Sequence, residues 1–386
     1  MVLGAPATVF PQRAGDGAIE RFRPGATVLV DDQLSLIRGR RIALVVDPSA
    51  RDGRGKTVES VLISDRRVRA ARVTVTATIR VPGAIRPFGD DVMQAERVGR
   101  AIDAITSPVE AIVFDVPDRG SRSGPAPVVL LATLRAAALR RIPVIVLDRP
   151  NPIMGERAEG PAPDSVSSAS DALYGLPSRH GMTIGEIAAW FNDAAGIGAS
   201  ISVVPVRGWR RSWWPGENNI PAASIDGQTI GAGTLVLTAA FAPVGATNLS
   251  IATRSAGGFQ LGAPWLDASR IARILSDRLM PGVSYAAGRD RFGVGAARSP
   301  VMPSLRVEIT DRDRASGWRT LAAVLSTIRE VHGASLVVDD TAFDLISGSP
   351  TFRTAIMAGE DSDAVVDDAL GTIVNFRRRI RRFLAY

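Results

Sequence analysis

Short, almost uncharged runs rich in β-branched residues alternate with helix-like stretches through the first half of the chain, and this spacing restricts the fold most. Residues 41–46 (Arg-Ile-Ala-Leu-Val-Val) form one such run, and Arg72–Ile79, Ala111–Val116, Pro143–Leu147 and Val203–Val206 continue the series. Runs this short and this apolar suit strands buried on both faces. Between them, residues 56–63, Met93–Ile105 and Val128–Leu139 carry helical spacing. Strand, helix, strand in close succession predicts βαβ units with right-handed crossovers, hence an α/β fold around a parallel sheet.

At 386 residues the chain exceeds what one core normally serves, so two domains are expected. We expect an N-terminal extension over 1–24, a parallel-sheet domain over 25–215 and a smaller α+β domain over 216–386. The boundary falls within the Trp- and Pro-containing segment 207–221. In the second part, Thr234–Leu237 and Ser304–Thr310 read as strands, and Asp267–Leu279 and Trp318–Val331 as helices. Thr183 followed by Glu186 reads as a capping box, ahead of the apolar face Ile184, Ile187, Ala188 and Phe191. Near the other end, Phe376, Ile380, Phe383 and Leu384 would face a core while Arg377–Arg379, Arg381 and Arg382 are solvated.

Composition narrows the chemistry. There is no cysteine and there are two histidines, His180 and His332, so thiol catalysis and multi-histidine zinc sites are excluded. The charge of +7 comes almost wholly from arginine, with Lys56 the single lysine. Spread along the chain, this reads as surface composition and not as a nucleic-acid footprint. No strand is followed by a dinucleotide or P-loop glycine motif and no nucleophile elbow is present, so no cofactor is indicated. No stretch is long and apolar enough for a membrane span. Residues 1–10 lack the basic and apolar regions of a complete signal peptide. Oligomeric state is not legible.

Several unusual segments follow one another. They are Asp148-Arg-Pro-Asn-Pro-Ile-Met-Gly155, Ala158-Glu-Gly-Pro161, Pro177-Ser-Arg-His-Gly-Met-Thr-Ile-Gly-Glu186, Gly208-Trp-Arg210, Ala246-Thr-Asn-Leu-Ser250, Gly262-Ala-Pro-Trp-Leu-Asp267, Pro281-Gly-Val283 and Phe343-Asp-Leu-Ile-Ser-Gly-Ser349. In order and spacing, over about residues 25–386, they resemble the NamZ-like (YbbC-like) exo-β-N-acetylmuramidase family. The resemblance implies a Rossmann-like N-terminal domain, a smaller α+β C-terminal domain and a cleft between them. It also implies removal of N-acetylmuramic acid from non-reducing ends of peptidoglycan fragments. Muramic-acid-containing cell-wall fragments are then the partners, and the location is periplasmic or extracellular; with no complete signal peptide visible, the cytoplasm stays open.

Glycoside hydrolysis ordinarily needs two carboxyl groups. The resemblance points to Glu159 and Asp118 as that pair, with His180 assisting. It points to Asp148, Arg149, Asn151, Arg122, Asn248, Arg254 and Trp265 as substrate-binding residues, with no metal. Asp148 and its neighbours follow a buried strand, where open α/β sheets bind ligands. Read from the residues alone, Asp148 and Arg149 suit either sugar recognition or an ion pair fixing the loop. His180 suits either proton transfer or a satisfied loop position, and Trp265 either sugar stacking or core packing. The sequence also departs from the family. Its "FGPEHG" segment should fall near residues 77–90, which contain no Glu-His pair, and its "EGTN" segment reads Gly245-Ala-Thr-Asn248. The Gln and tyrosines of "QDVG.R.YTY" are missing from Pro117–Arg122, and "PSPN.P" reads Gly216–Pro221. Glu159, Asp115, Asp118 and Arg122 stand in their motifs. Such losses characterise a catalytically impaired homologue that binds cell-wall sugars or a protein partner through the same cleft, the alternative to an active hydrolase.

Overall fold

The computed structural model describes residues 20–81, 90–163, 175–225, 228–254, 258–293 and 299–386. The apolar runs become the parallel strands β1 (Arg41–Val46), β2 (Thr74–Arg80), β3 (Ala111–Asp115), β4 (Val144–Leu147) and β5 (Ile201–Val204). Their order across the sheet is β2-β1-β3-β4-β5, every neighbouring pair parallel. Alternate side chains serve opposite faces. Ala43, Val45, Ile112, Phe114, Val144 and Val146 join one core with residues of α4 (Asp90–Asp103), α5 (Pro125–Leu139) and α6 (Ile184–Ala194). Ile42, Leu44, Val46, Val113, Ile145 and Leu147 join another with α1 (Gly25–Asp31), α2 (Val58–Ser64) and α3 (Arg66–Ala70). Covered on both faces, β1, β3 and β4 are buried at every position but Arg41. The expected capping box starts α6: Glu186 N donates to Thr183 Oγ1 at 3.3 Å and Thr183 N to Glu186 Oε2 at 3.0 Å.

A small hairpin, β6 (Ala223–Ile225) and β7 (Gln228–Ile230), leads into the second part. There α7 (Ala232–Phe241) precedes β8 (Ser250–Arg254) and β9 (Gly258–Gly262). Next come α8 (Ala268–Asp277), β10 (Val283–Asp290), β11 (Met302–Ile309) and α9 (Gly317–His332). The helices α10 (Asp340–Ser347), α11 (Pro350–Ala358) and α12 (Ser362–Ile380) close the chain. The sheet is antiparallel with order β10-β11-β9-β8. One expectation is corrected here. Thr234–Leu237 lies inside α7 and is not a strand. A short apolar run buried all round carries no period that separates the two forms.

The end of α12 behaves as its pattern requires, but the core it joins is that of the parallel-sheet domain. Phe376, Ile380 and Phe383 are buried there, with Trp190 edge-on to Phe376 and Phe383 at 6.4 and 5.6 Å. Arg377–Arg379, Arg381 and Arg382 are exposed. Among the described residues no helix is long and apolar enough to cross a membrane.

Candidate functional site

The strand order fixes where a ligand can enter. After β1 the chain steps to one side to form β2, and afterwards builds outward on the other side from β3. The loops leaving β1 and β3 therefore diverge and open a crevice at the carboxyl edge of the sheet. The cleft found there holds about 940 Å³ of space, part of it open to solvent. Its floor carries Asp47 and Asp52 after β1, Asp118 and Arg119 after β3, and Arg149 after β4. Prolines, among them Pro24, Pro117, Pro150 and Pro215, shape the walls without adding backbone N–H donors.

Each charged group on the floor is held. Asp47 N bonds Asp115 O at 3.1 Å, continuing the ladder one step past β1. Its Oδ1 accepts from both Ser49 N and Ser49 Oγ at 2.7 Å. Burial pushes this carboxyl above the usual range, and the neighbouring Asp115 adds to the rise while Ser49 and Arg119 oppose it. Arg149 grips Asp115 with Nε at 2.7 Å and Nη2 at 2.9 Å, and its Nη1 donates to Arg51 O at 2.9 Å. Asp52 Oδ1 accepts from Arg54 N and Lys56 N, both at 2.8 Å, and so closes its own turn.

Asp118 differs. Its Oδ2 accepts from Gly120 N at 2.8 Å and lies 3.0 Å from His180 Nε2. That histidine is fully buried, and its Nδ1 accepts from Met182 N at 3.1 Å, which assigns the neutral ring's proton to Nε2. The Nε2–H is not aimed along the line to Oδ2, so the pair is a close electrostatic contact and not a formed hydrogen bond. Asp118 Oδ1 is buried with no hydrogen-bond partner among the described residues. An acceptor left this way costs on the order of 1–3 kcal/mol unless a ligand or water satisfies it.

The other expected residues serve elsewhere. Asp148 is buried and accepts four donors: Arg149 N at 2.9 Å and Gly185 N at 2.8 Å on Oδ1, Thr183 Oγ1 at 2.8 Å and Tyr386 Oη at 2.6 Å on Oδ2. The ion pair expected as one reading of Asp148 and Arg149 does not form, because Arg149 reaches Asp115 instead. Asn151 is buried and engaged on both atoms, with Met182 O at 2.9 Å and Ile153 N at 3.0 Å. Glu159 pairs with Arg179 at 2.6 Å and accepts from Ser316 Oγ at 2.8 Å, at the start of α9. Its carboxylate thus bridges the two parts of the chain and lies outside the cleft lining. Arg122 is buried without a carboxylate partner among the described residues and donates to Leu176 O at 3.0 Å and to Ile346 O at 2.5 Å. Burial pushes its guanidinium down to about 10, still charged at neutral pH. Asn248 holds the segment after α9 through Ser335 O at 2.9 Å and Val337 N at 3.1 Å. Trp265 meets His332 edge-on at 5.1 Å. Arg254 ends β8 opposite Gly258. Of residues 77–90, where the Glu-His segment was sought, 82–89 lie outside the described residues.

Of the expected set, then, Asp118 and Arg149 line the cleft and His180 stands behind Asp118. Asp47, Ser49, Arg51, Asp52 and Arg119 were not foreseen. The signal that could have found them is positional: a polar stretch directly after the first buried run of a doubly wound sheet. Among the described residues no group of three or more His, Asp or Glu is placed to hold a metal ion.

Comparison with known proteins agrees with this architecture. A family model described as exo-beta-N-acetylmuramidase NamZ, N-terminal, matches residues 98–223, and its C-terminal counterpart matches residues 239–386. The peptidoglycan beta-N-acetylmuramidase NamZ of Bacillus subtilis (strain 168) is 24% identical over 387 residues, covering 95% of this chain and 92% of that protein. Two solved structures of DUF1343 family proteins from Bacteroides fragilis NCTC 9343 share the fold. One superposes with a TM-score of 0.75 at 20% identity, over 96% of this chain and 100% of its own. The other gives 0.63 at 18% identity, over 95% and 99%.

Proposed function

The chain belongs to the exo-β-N-acetylmuramidase NamZ family, and from that membership we propose that its cleft takes the non-reducing terminal N-acetylmuramic acid of peptidoglycan fragments and hydrolyses the glycosidic bond. The observation that carries the reading is Asp118. Its carboxylate stands in the wall of the crevice at the switch point of the sheet, steadied by Gly120 and His180, with Oδ1 lacking a donor among the described residues. Sugar hydroxyls, an N-acetyl N–H or an attacking water would each supply one. Arg51, Arg119 and Arg149 line the same space, and their charge suits a lactyl carboxylate. We propose from this substrate class that the protein works in the periplasm or outside the cell, with the cytoplasm as the alternative.

The test is a chromogenic β-glycoside of N-acetylmuramic acid, assayed beside an active family member, with a calorimetric titration of N-acetylmuramic acid on the same preparation. Turnover and binding together are expected. Absence of both at millimolar ligand would end the assignment. A second reading, binding without turnover, is favoured by one observation: Glu159, the glutamate that keeps its motif, is committed to Arg179 and Ser316. On that reading the sugar binds while turnover lies at least about a hundred-fold below the active relative, the least that losing general acid–base help removes.

A further inference from the structure

We propose that Asp47 is the proton donor of this cleft and works with Asp118 as the carboxyl pair that glycoside hydrolysis needs; this rests on the glycosidase reading above. Three carboxylates line the cleft among the described residues, Asp47, Asp52 and Asp118. Asp52 is accounted for by the turn that it closes. Asp118 lines the cleft and its Oδ1 has no hydrogen-bond partner among the described residues, so this carboxylate is assigned the proton from water. Asp47 has the complementary character. It follows directly on β1, is only 6% exposed, and takes both bonds from Ser49 on Oδ1. No hydrogen bond among the described residues reaches its Oδ2. Its backbone is laddered to Asp115, so a second carboxylate lies beside it on the adjoining strand end, while Arg119 and the paired Arg149 supply the opposing charge. Burial and the Asp115 charge both shift Asp47 toward the protonated form, the direction a general acid requires, against the opposing pull of Ser49 and Arg119.

The balance of the reaction is simple. Asp47 gives its proton to the glycosidic oxygen, which departs with the bonding electron pair as the C1–O bond breaks. Water supplies the new oxygen at C1 and passes a proton to Asp118, and solvent exchange returns that proton to Asp47. One water is consumed, and N-acetylmuramic acid and the shortened fragment are released.

The test compares wild type, Asp47→Asn and Asp47→Glu on two substrates. One is a β-linked N-acetylmuramic acid–N-acetylglucosamine disaccharide, whose leaving oxygen needs a proton. The other is a 2,4-dinitrophenyl β-glycoside of N-acetylmuramic acid, whose leaving group does not. For Asp47→Asn, kcat on the disaccharide is expected to fall by about 10²–10⁴ with KM within about threefold of wild type, and by less than about tenfold on the dinitrophenyl glycoside. Asp47→Glu should recover part of the disaccharide activity. The amide can still accept from Ser49, and circular dichroism with a melting curve checks that the variants fold. Disaccharide turnover by Asp47→Asn within about threefold of wild type, or an equal loss on both substrates, overturns the assignment of Asp47 and leaves the hydrolase reading standing. A wild type that binds N-acetylmuramic acid without turning over either substrate overturns both the acid role and hydrolysis. A wild type that does neither removes the cleft assignment itself.

Discussion

Asp148 illustrates what burial does to one residue of a recognisable motif. Four donors converge on it, and the space is so tight that a Cβ on Gly185 would lie 2.8 Å from its Cγ. Burial, with the charge of Glu186, outweighs those donors and pushes its carboxyl up to about 6 from an ordinary value of 3.8. Between those two values the folded protein binds more protons than the unfolded chain, so this group's contribution to stability falls as pH rises from about 4 to about 6. The loss amounts to about 3 kcal/mol at most. Urea unfolding of wild type and Asp148→Asn across that range should show stability falling more steeply, or rising less, with pH in wild type than in the variant. Equal slopes would mean that Asp148 keeps an ordinary pKa in the fold.

The end of α12 and the residues after it lock one element onto the distant parallel-sheet domain. Tyr386 Oη donates to Asp148 at 2.6 Å and accepts from Val206 N at 2.9 Å, while its ring stands edge-on to Trp209 at 5.1 Å. Ala385 N adds a bond to Glu186 Oε1 at 2.7 Å. Tyr386→Phe keeps the ring packing, removes a donor to a charged acceptor and strands the Val206 N–H. We expect it to cost about 2 kcal/mol in urea unfolding, and a change under about 0.5 kcal/mol would show that the hydroxyl contributes little. Periodicity identified this segment's apolar face correctly, and the same kind of reading failed at Thr234–Leu237. The difference is that Phe376, Ile380 and Phe383 leave an arginine-rich face exposed, whereas α7 carries apolar or small residues all round.

For the whole molecule, the ties between the parts converge on residues that sequence alone marks as catalytic or binding. Glu159 reaches the start of α9, and Arg122 reaches the end of α10, where a Cβ on Gly348 would meet its Nη1 at 2.4 Å. Gly348 also needs its φ of +76°, so it is suited twice over to glycine. Breaking the Glu159 clamp leaves Arg179, whose side chain is 3% exposed, without its counter-charge. Glu159→Gln should therefore destabilise the protein by about 3 kcal/mol. N-acetylmuramic acid affinity should change by less than about threefold, because the side chain is outside the cleft. A tenfold or larger loss of affinity in calorimetry would return Glu159 to the binding machinery.

The sequence by itself determined the fold class and the strands of the parallel sheet. Buried β-branched runs at short spacing dictate a parallel sheet, the Thr183–Glu186 pair dictates the start of α6, and the chain of motifs from Asp148 to Ser349 identifies the family. Strand order could not be read from these signals, because any arrangement of buried parallel strands satisfies the same apolar pattern. Only the folded order β2-β1-β3-β4-β5 brings the loops after β1 and β3 apart and makes Asp47 face the space beside Asp118. Tertiary contact likewise decided the fate of the motif carboxylates. A charged side chain in sequence is equally suited to a ligand and to a buried donor, and which it meets depends on partners such as Tyr386, 238 residues from Asp148, and Ser316, 157 residues from Glu159.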